Sequence, residues 1–111
     1  MTRGEIWTVA ASGEYSGKPR PAVIIQATAF ADLAAVTICG FTTTEVERFP
    51  RIEVEPSSEN GLTERSWLMV DKVTTVPRGR LGRRVGQLGA ADLERLDRGL
   101  LVFLGLTETR R

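Results

Sequence analysis

Histidine is absent from these 111 residues. Its absence removes the commonest general base and metal ligand, and with them any serine–histidine–aspartate catalysis. Cysteine occurs once, at Cys39, so neither an internal disulfide nor a thiolate-based metal cluster can be built from the chain. No segment nears the ~18–20 uninterrupted apolar residues of a membrane span. The opening Met1–Trp7 has no apolar run ahead of a cleavage site, so no secretory leader is expected and the expected location is cytoplasmic. Charge of one sign is also missing. The formal net charge is +1, and bulk charge therefore announces no nucleic-acid partner. Any chemistry has to come from arginine, carboxylates and hydroxyls, and neither metal nor cofactor is expected.

What is present is ordinary for a globular protein. Hydrophobic residues make up 41% and charged residues 26%, which excludes a disordered or low-complexity chain. The length suits one domain, 1–111, with a core large enough to stand without disulfides.

The pattern is mostly that of strands. Residues 4–10 are rich in β-formers, and 11–19 carry two glycines and a proline, as a loop does. Ala22 to Gln26 form a continuous apolar run, read as a strand buried on both faces, with Pro21 at its start. Residues 27–33 suit a short helical turn, and 34–42 another strand. Ile52 and Val54 alternate with Glu53 and Glu55, a half-exposed strand. Trp67 to Val76 read as one long strand stopped by Pro77, and Leu81 to Leu88 as a shorter one. The period then changes. Leu93, Leu96, Leu100, Leu101 and Leu104 recur along one helical face, with Gly89 as N-cap and Gly105 as stop. The expected architecture is mainly β: five to seven strands in a strongly bent sheet or small barrel, followed by one C-terminal helix.

Three segments carry candidate chemistry. In the first, a glycine-containing polar loop, Glu14 to Pro19, delivers Arg20 to the mouth of a buried strand. A guanidinium fork there suits phosphate oxygens, or is simply a surface arginine. The second is Thr42-Thr43-Thr44 at a strand end, either an exposed edge or a set of hydroxyls for a phosphate. In the third, Asp71 interrupts an apolar run, where a carboxylate is either paired or functional. Charges are also segregated. Arg78, Arg80, Arg83 and Arg84 fall within seven residues, and Glu45, Glu47, Glu53 and Glu55 cluster earlier; each group reads as a solvated face or as the rim of a binding surface.

Taken together, Arg3-Gly4-Glu5-Ile6-Trp7, Arg20-Pro21-Ala22-Val23-Ile24-Ile25, the Thr42 run, Val70–Val76, Arg80-Leu81-Gly82 and the helix opening Ala91-Asp92-Leu93 resemble the MazF/PemK (Kid) family of toxins, from Arg3 to Leu106. The resemblance implies an SH3-like, CcdB/MazF-type barrel with a C-terminal helix, a homodimer, and sequence-specific, metal-independent cleavage of single-stranded RNA. It also implies a cognate antitoxin whose acidic C-terminal tail lies across the RNA groove. Carried onto this chain, the family's arginine is Arg20 and its catalytic threonine Thr42, with Thr43 the alternative. Asp71 and Glu14 are the weaker candidates for proton acceptance, and Lys18, Thr43, Thr44, Arg83 and Arg84 for RNA contacts. The chain departs from some members in having no loop histidine and in having Met69 where they have an arginine. Two other functions are compatible with such a barrel. A gyrase poison of the CcdB type needs a C-terminal Trp-Gly-Ile, whereas this chain ends Thr107-Glu108-Thr109-Arg110-Arg111. A catalytically silent RNA- or protein-binding barrel would not need Arg20 and Thr42.

Overall fold

The protein is described from a computed structural model over residues 1–10, 18–45 and 48–107. Among these described residues, seven strands appear in chain order: β1 (Glu5–Val9), β2 (Arg20–Ile24), β3 (Ala35–Thr42), β4 (Arg51–Val54), β5 (Ser66–Met69), β6 (Thr74–Pro77) and β7 (Leu81–Gln87). One helix, α1 (Ala90–Phe103), follows. Short 3₁₀ turns occupy Thr28–Phe30, Val70–Lys72 and Arg78–Arg80. No helix among the described residues is long and apolar enough to cross a membrane.

The eight-residue β3 is the spine of the sheet. One of its edges pairs with β2, Ala22 to Ile24 against Gly40 to Ile38. Its other edge is shared: Ala35 to Ile38 pair with β6, and Phe41 and Thr42 pair with β5. Every pairing is antiparallel, in the order β4-β5-β3-β2-β1-β7 with β6 on β3. The single strand expected over Trp67–Val76 is therefore two strands. The 3₁₀ turn Val70–Lys72 buries Val70 completely and lets the chain leave one half of β3 and join the other. Apolar composition alone does not reveal such a break, because both strands and the turn contribute core side chains.

Strand alternation splits the apolar residues into two cores. Val23, Cys39, Phe41, Ile52, Val54, Leu68 and Val70 face one, with Ile6, Leu88 and Leu96. Ala22, Ile24, Val36, Ile38 and Val76 face the other. This is the arrangement expected for a strand buried on both faces. The helix seals the first core through Leu96, and Gly99 lets it approach closely. A Cβ on Gly99 would lie 3.1 Å from Ile52 Cδ1. The leucine stripe is shorter than its spacing suggests. Leu93 and Leu100 pack partly against the core, but Leu101 and Leu104 are exposed because the last turn of α1 runs past the sheet. Leu106 N–H donates to Leu101 O at 2.8 Å and Gly105 N–H to Val102 O at 3.1 Å, with Gly105 at φ 73°, so the helix ends in a Schellman motif.

The sheet bends into a barrel-like shape without closing through a ladder. Its end strands, β4 and β7, are bridged by the segment between β4 and β5. Gln87 N–H donates to Glu59 O at 2.9 Å. A Cβ on Gly86 would lie 2.5 Å from Asn60 O, and one on Gly61 would collide with the Val85 carbonyl. Buried Asn60 holds this bridge. Its Oδ1 accepts from the N–H groups of Ser57 and Leu62 at 3.0 and 2.9 Å, and its Nδ2 donates to Glu55 O at 2.9 Å.

Candidate functional site

Where the bridge crosses β7, the bent sheet leaves a cleft of ≈ 910 Å³. The approach to β2 supplies Lys18 and Pro19, its first residues supply Arg20 and Pro21, and the segment after β3 supplies Thr43. Thr8 of β1, residues 61–64 of the bridge, Ser66 at the start of β5, and Gly82, Arg83 and Val85 of β7 complete the lining.

Each wall has a local cause. Arg20 pairs with Val9 and Pro21 with Thr8 at the end of the β1–β2 ladder, before β2 meets β3 at Ala22. Pro21 has no N–H to give on the side where β3 is absent, and Arg20 is left exposed at the mouth. On β7 the register slips. Trp7 pairs with Arg84 and Val9 with Leu81, so Gly82 and Arg83 together oppose Thr8. Such a bulge re-aims side chains, and here Arg83 is sent into the cleft while its N–H donates to Thr8 Oγ1 at 3.0 Å. Gly82 has no Cβ because Thr8 Oγ1 occupies that space. At the start of β5, Ser66 is 3% exposed and its Oγ donates to Glu64 O at 2.9 Å, fixing the end of the bridge that carries Glu64.

The structure thus gathers Lys18, Arg20, Thr43 and Arg83 from three parts of the chain. Three cations and several hydroxyls share one open cavity, a setting for phosphate oxygens. Other residues singled out from the sequence stand elsewhere. Thr42 is half-buried at the end of β3, opposite Trp67, and its Oγ1 accepts from Thr44 N–H at 3.2 Å. Thr44 is exposed but does not line the cleft. Asp71 sits in the 3₁₀ turn after β5, where Arg51 grips it through Nε–Oδ1 at 2.7 Å and Nη2–Oδ2 at 3.3 Å. The Arg51 hydrogen bond holds the Asp71 carboxyl below its ordinary range. Arg51 lines a separate groove of ≈ 470 Å³ beside α1, so the pair lies away from the cleft. Glu14 is outside the described residues.

The arginine cluster divides by function. Arg78 donates to Leu33 O at 2.8 and 3.1 Å and to Ala31 O, clamping the turn after β2. Arg84 pairs with Glu5 at 3.3 Å. Burial opposes the Glu5 charge, but hydrogen bonds from the Trp7 indole, the Thr2 N–H and Arg84 prevail and take its pKa down to about 2. Of the two arginines expected at RNA, Arg83 lines the cleft and Arg84 is paired with Glu5. Thr8, Thr63, Glu64 and Ser66 belong to the cleft without having been singled out. Alternation with Ile6 would have placed Thr8 on the inner face, but no sequence signal shows residues 61–66 folding back over β7.

Comparison with known proteins follows this geometry. The family described as PemK-like, MazF-like toxin of type II toxin–antitoxin system matches residues 2–104. A probable endoribonuclease MazF of Mycolicibacterium smegmatis is 52% identical over 107 residues, covering 96% of this chain and 98% of the relative. Among solved structures, the Mycobacterium tuberculosis toxin MazF-mt6 superposes with a TM-score of 0.79 at 26% identity, covering 94% of this chain and 99% of that one. A mycobacterial endoribonuclease in complex with its cognate antitoxin superposes at 0.77 and 21% identity, over 97% and 96%, a likeness of fold.

Proposed function

The chain belongs to the PemK-like, MazF-like family of type II toxin–antitoxin toxins, and we propose how its cleft performs the endoribonuclease reaction of such a toxin. The whole of 1–111 acts as one toxin domain, in the cytoplasm where messenger RNA is found. The substrate is single-stranded RNA, cut at specific sequences. The RNA's own 2′-OH attacks the adjacent phosphorus and the 5′-oxygen departs, leaving a 2′,3′-cyclic phosphate and a free 5′-OH. The nucleophile is built into the substrate, so no metal-bound water is needed for this step. DNA lacks that hydroxyl and is left intact.

The observation that carries this assignment is the meeting of Arg20 and Thr43 in one cleft of a chain from this family. Arg20 neutralises the charge that develops on the phosphoryl oxygens, the kind of stabilisation that dominates such reactions. Thr43 holds the scissile phosphate or the 2′-OH in line, with Thr42 supporting the turn that presents it. Lys18 and Arg83 bind flanking phosphates. Asp71, engaged by Arg51, has no part in the proposed step; Glu14 is the carboxylate proposed to accept the proton.

The working form is a homodimer. Supporting this, the end of α1 presents Leu101, Val102, Phe103, Leu104 and Leu106 at 41–70% exposure, an apolar patch of the kind that partners cover. A cognate antitoxin with an acidic C-terminal tail competes with RNA for the basic cleft. The test is incubation of the purified protein with a long single-stranded RNA in EDTA, beside a DNA of the same sequence. Discrete RNA fragments with 2′,3′-cyclic phosphate and 5′-OH ends are expected, with the DNA untouched. A requirement for added Mg²⁺, or 5′-phosphate ends, would overturn the assignment.

A further inference from the structure

One lining residue has the wrong charge for a phosphate channel. Lys18, Arg20 and Arg83 suit the RNA backbone, but Glu64 is a carboxylate among them. It is exposed and makes no ion pair among the described residues, although three cations line the same cavity. Its placement follows from the fold. In β5 and the residues before it, side chains alternate. Arg65 and Trp67 lie on one side, with the Arg65 guanidinium stacked 5.1 Å from the Trp67 ring centroid and paired to Glu53. Glu64 and Ser66 lie on the other, in the cleft. The Ser66 hydroxyl pins the Glu64 carbonyl at 2.9 Å, and the adjoining Gly61 rests against β7, so this wall is held in place on both sides.

A carboxylate carried on this held backbone repels phosphate and accepts hydrogen bonds only. The part of an RNA strand that meets it favourably is a base edge carrying donors. In single strands the Watson–Crick edges are free to be read. Guanine offers two parallel donors there, N1–H and the N2 amino group, matching the two oxygens of a carboxylate. Uracil offers a single N3–H flanked by two carbonyls that a carboxylate repels.

We propose that Glu64 is a specificity-determining residue that reads a guanine of the substrate through N1–H and N2–H and rejects uracil at the same position. The assignment rests on the endoribonuclease function above. The backbone is held by Lys18, Arg20 and Arg83, and Glu64 discriminates among the bases that the held strand presents. A bidentate contact of this type discriminates roughly 5- to 150-fold against the wrong base.

The experiment digests a random-sequence RNA pool with the wild-type protein and with Glu64→Gln and Glu64→Ala, and sequences the new ends. Oligonucleotides that differ only as guanine or uracil at the preferred position then give kcat/KM values. Glu64 is exposed and, among the described residues, its side chain makes no hydrogen bond, so both variants should fold; circular dichroism checks this. Wild type should favour guanine at one fixed position near the cut. Both variants should lose that preference by a factor in the range above while still cutting RNA. Cleavage by the variants with an unchanged sequence preference would overturn the proposal. So would a wild-type preference that excludes guanine, or an equal loss of rate on all sequences with an altered pH profile, which would make Glu64 a proton-transfer group. Failure of the wild type to cut any RNA would instead remove the endoribonuclease assignment, and this proposal with it.

Discussion

The backbone N–H of Arg83 donates to the hydroxyl of Thr8 at 3.0 Å, across a bulge in which two residues of β7 face one of β1. The contact explains why the Arg83 side chain enters the cleft and why glycine precedes it. A Cβ at position 82 would meet Thr8 Oγ1. Gly82→Ala should therefore destabilise the fold by about 1–3 kcal/mol through overpacking. Thr8→Val, which keeps the shape and loses the acceptor, should cost about 1 kcal/mol. Urea unfolding midpoints measure both. A Gly82→Ala protein as stable as wild type would mean that the bulge is not held by this contact.

Arg83 and Arg84 are adjacent in sequence and should behave differently at RNA. Arg83 lines the cleft, whereas Arg84 is paired with Glu5 at 3.3 Å. In a cleavage-dead Arg20→Ala background, Arg83→Ala should weaken binding and reduce the log–log salt slope by about 0.7, one phosphate contact on a single strand. Arg84→Ala should leave the slope unchanged. Equal changes in slope for the two would show that the RNA follows the outer face of β7 as well.

Much of the fold could be read before the structure because period and apolar runs report it directly. The strand at Ala22, the alternation at Ile52 and Val54, and the helix from Ala90 all stand as expected. The break at Val70–Lys72 stayed hidden, since a buried turn is as apolar as a strand. The opening Arg3–Trp7 motif carries part of the family resemblance, yet its contacts are structural. Arg3 ties α1 to the residue that follows β2, through Asp97 at 2.7 Å and Ile25 O at 2.8 Å, and Glu5 anchors Trp7 and Arg84. Of the site, Arg20 was visible because a polar loop met an apolar run. Residues 61–66 were not, because their position depends on the close approach of Gly61 to Val85 and of Asn60 to Gly86, between segments far apart in sequence.

Glu5 should make the protein acid-sensitive. Its carboxyl is held down to about 2 in the folded state, below the ordinary 4.5. A depressed carboxylate binds fewer protons folded than unfolded. Its contribution is therefore complete above about pH 5 and is lost as pH falls toward 2. Glu5→Gln should be less stable at neutral pH and should show a shallower loss of stability between those limits. Urea midpoints from pH 2.5 to 6 give the comparison; parallel curves for the two proteins would rule out Glu5 as a source of the acid transition.

The two adjacent threonines make the sharpest test of the cleft. Thr43 lines it, as Arg20 does, whereas the Thr42 hydroxyl accepts the Thr44 N–H at 3.2 Å and its strand position faces Trp67. If Thr43 orients the scissile phosphate, Thr43→Ala should lower kcat for RNA cleavage by about 10- to 100-fold with little change in KM, because orientation acts on the reacting geometry. Thr42→Ala should act through the turn, with a smaller fall in kcat and a loss of stability of about 0.5–1.5 kcal/mol from the missing hydrogen bond. Arg20→Ala should remove activity by about 100-fold or more in a folded protein, since it withdraws charge from the transition state. Single-turnover rates on one oligonucleotide, with circular dichroism on each variant, separate these effects. A Thr42→Ala protein more impaired than Thr43→Ala, at undiminished stability, would move the catalytic hydroxyl back by one residue, to the end of β3.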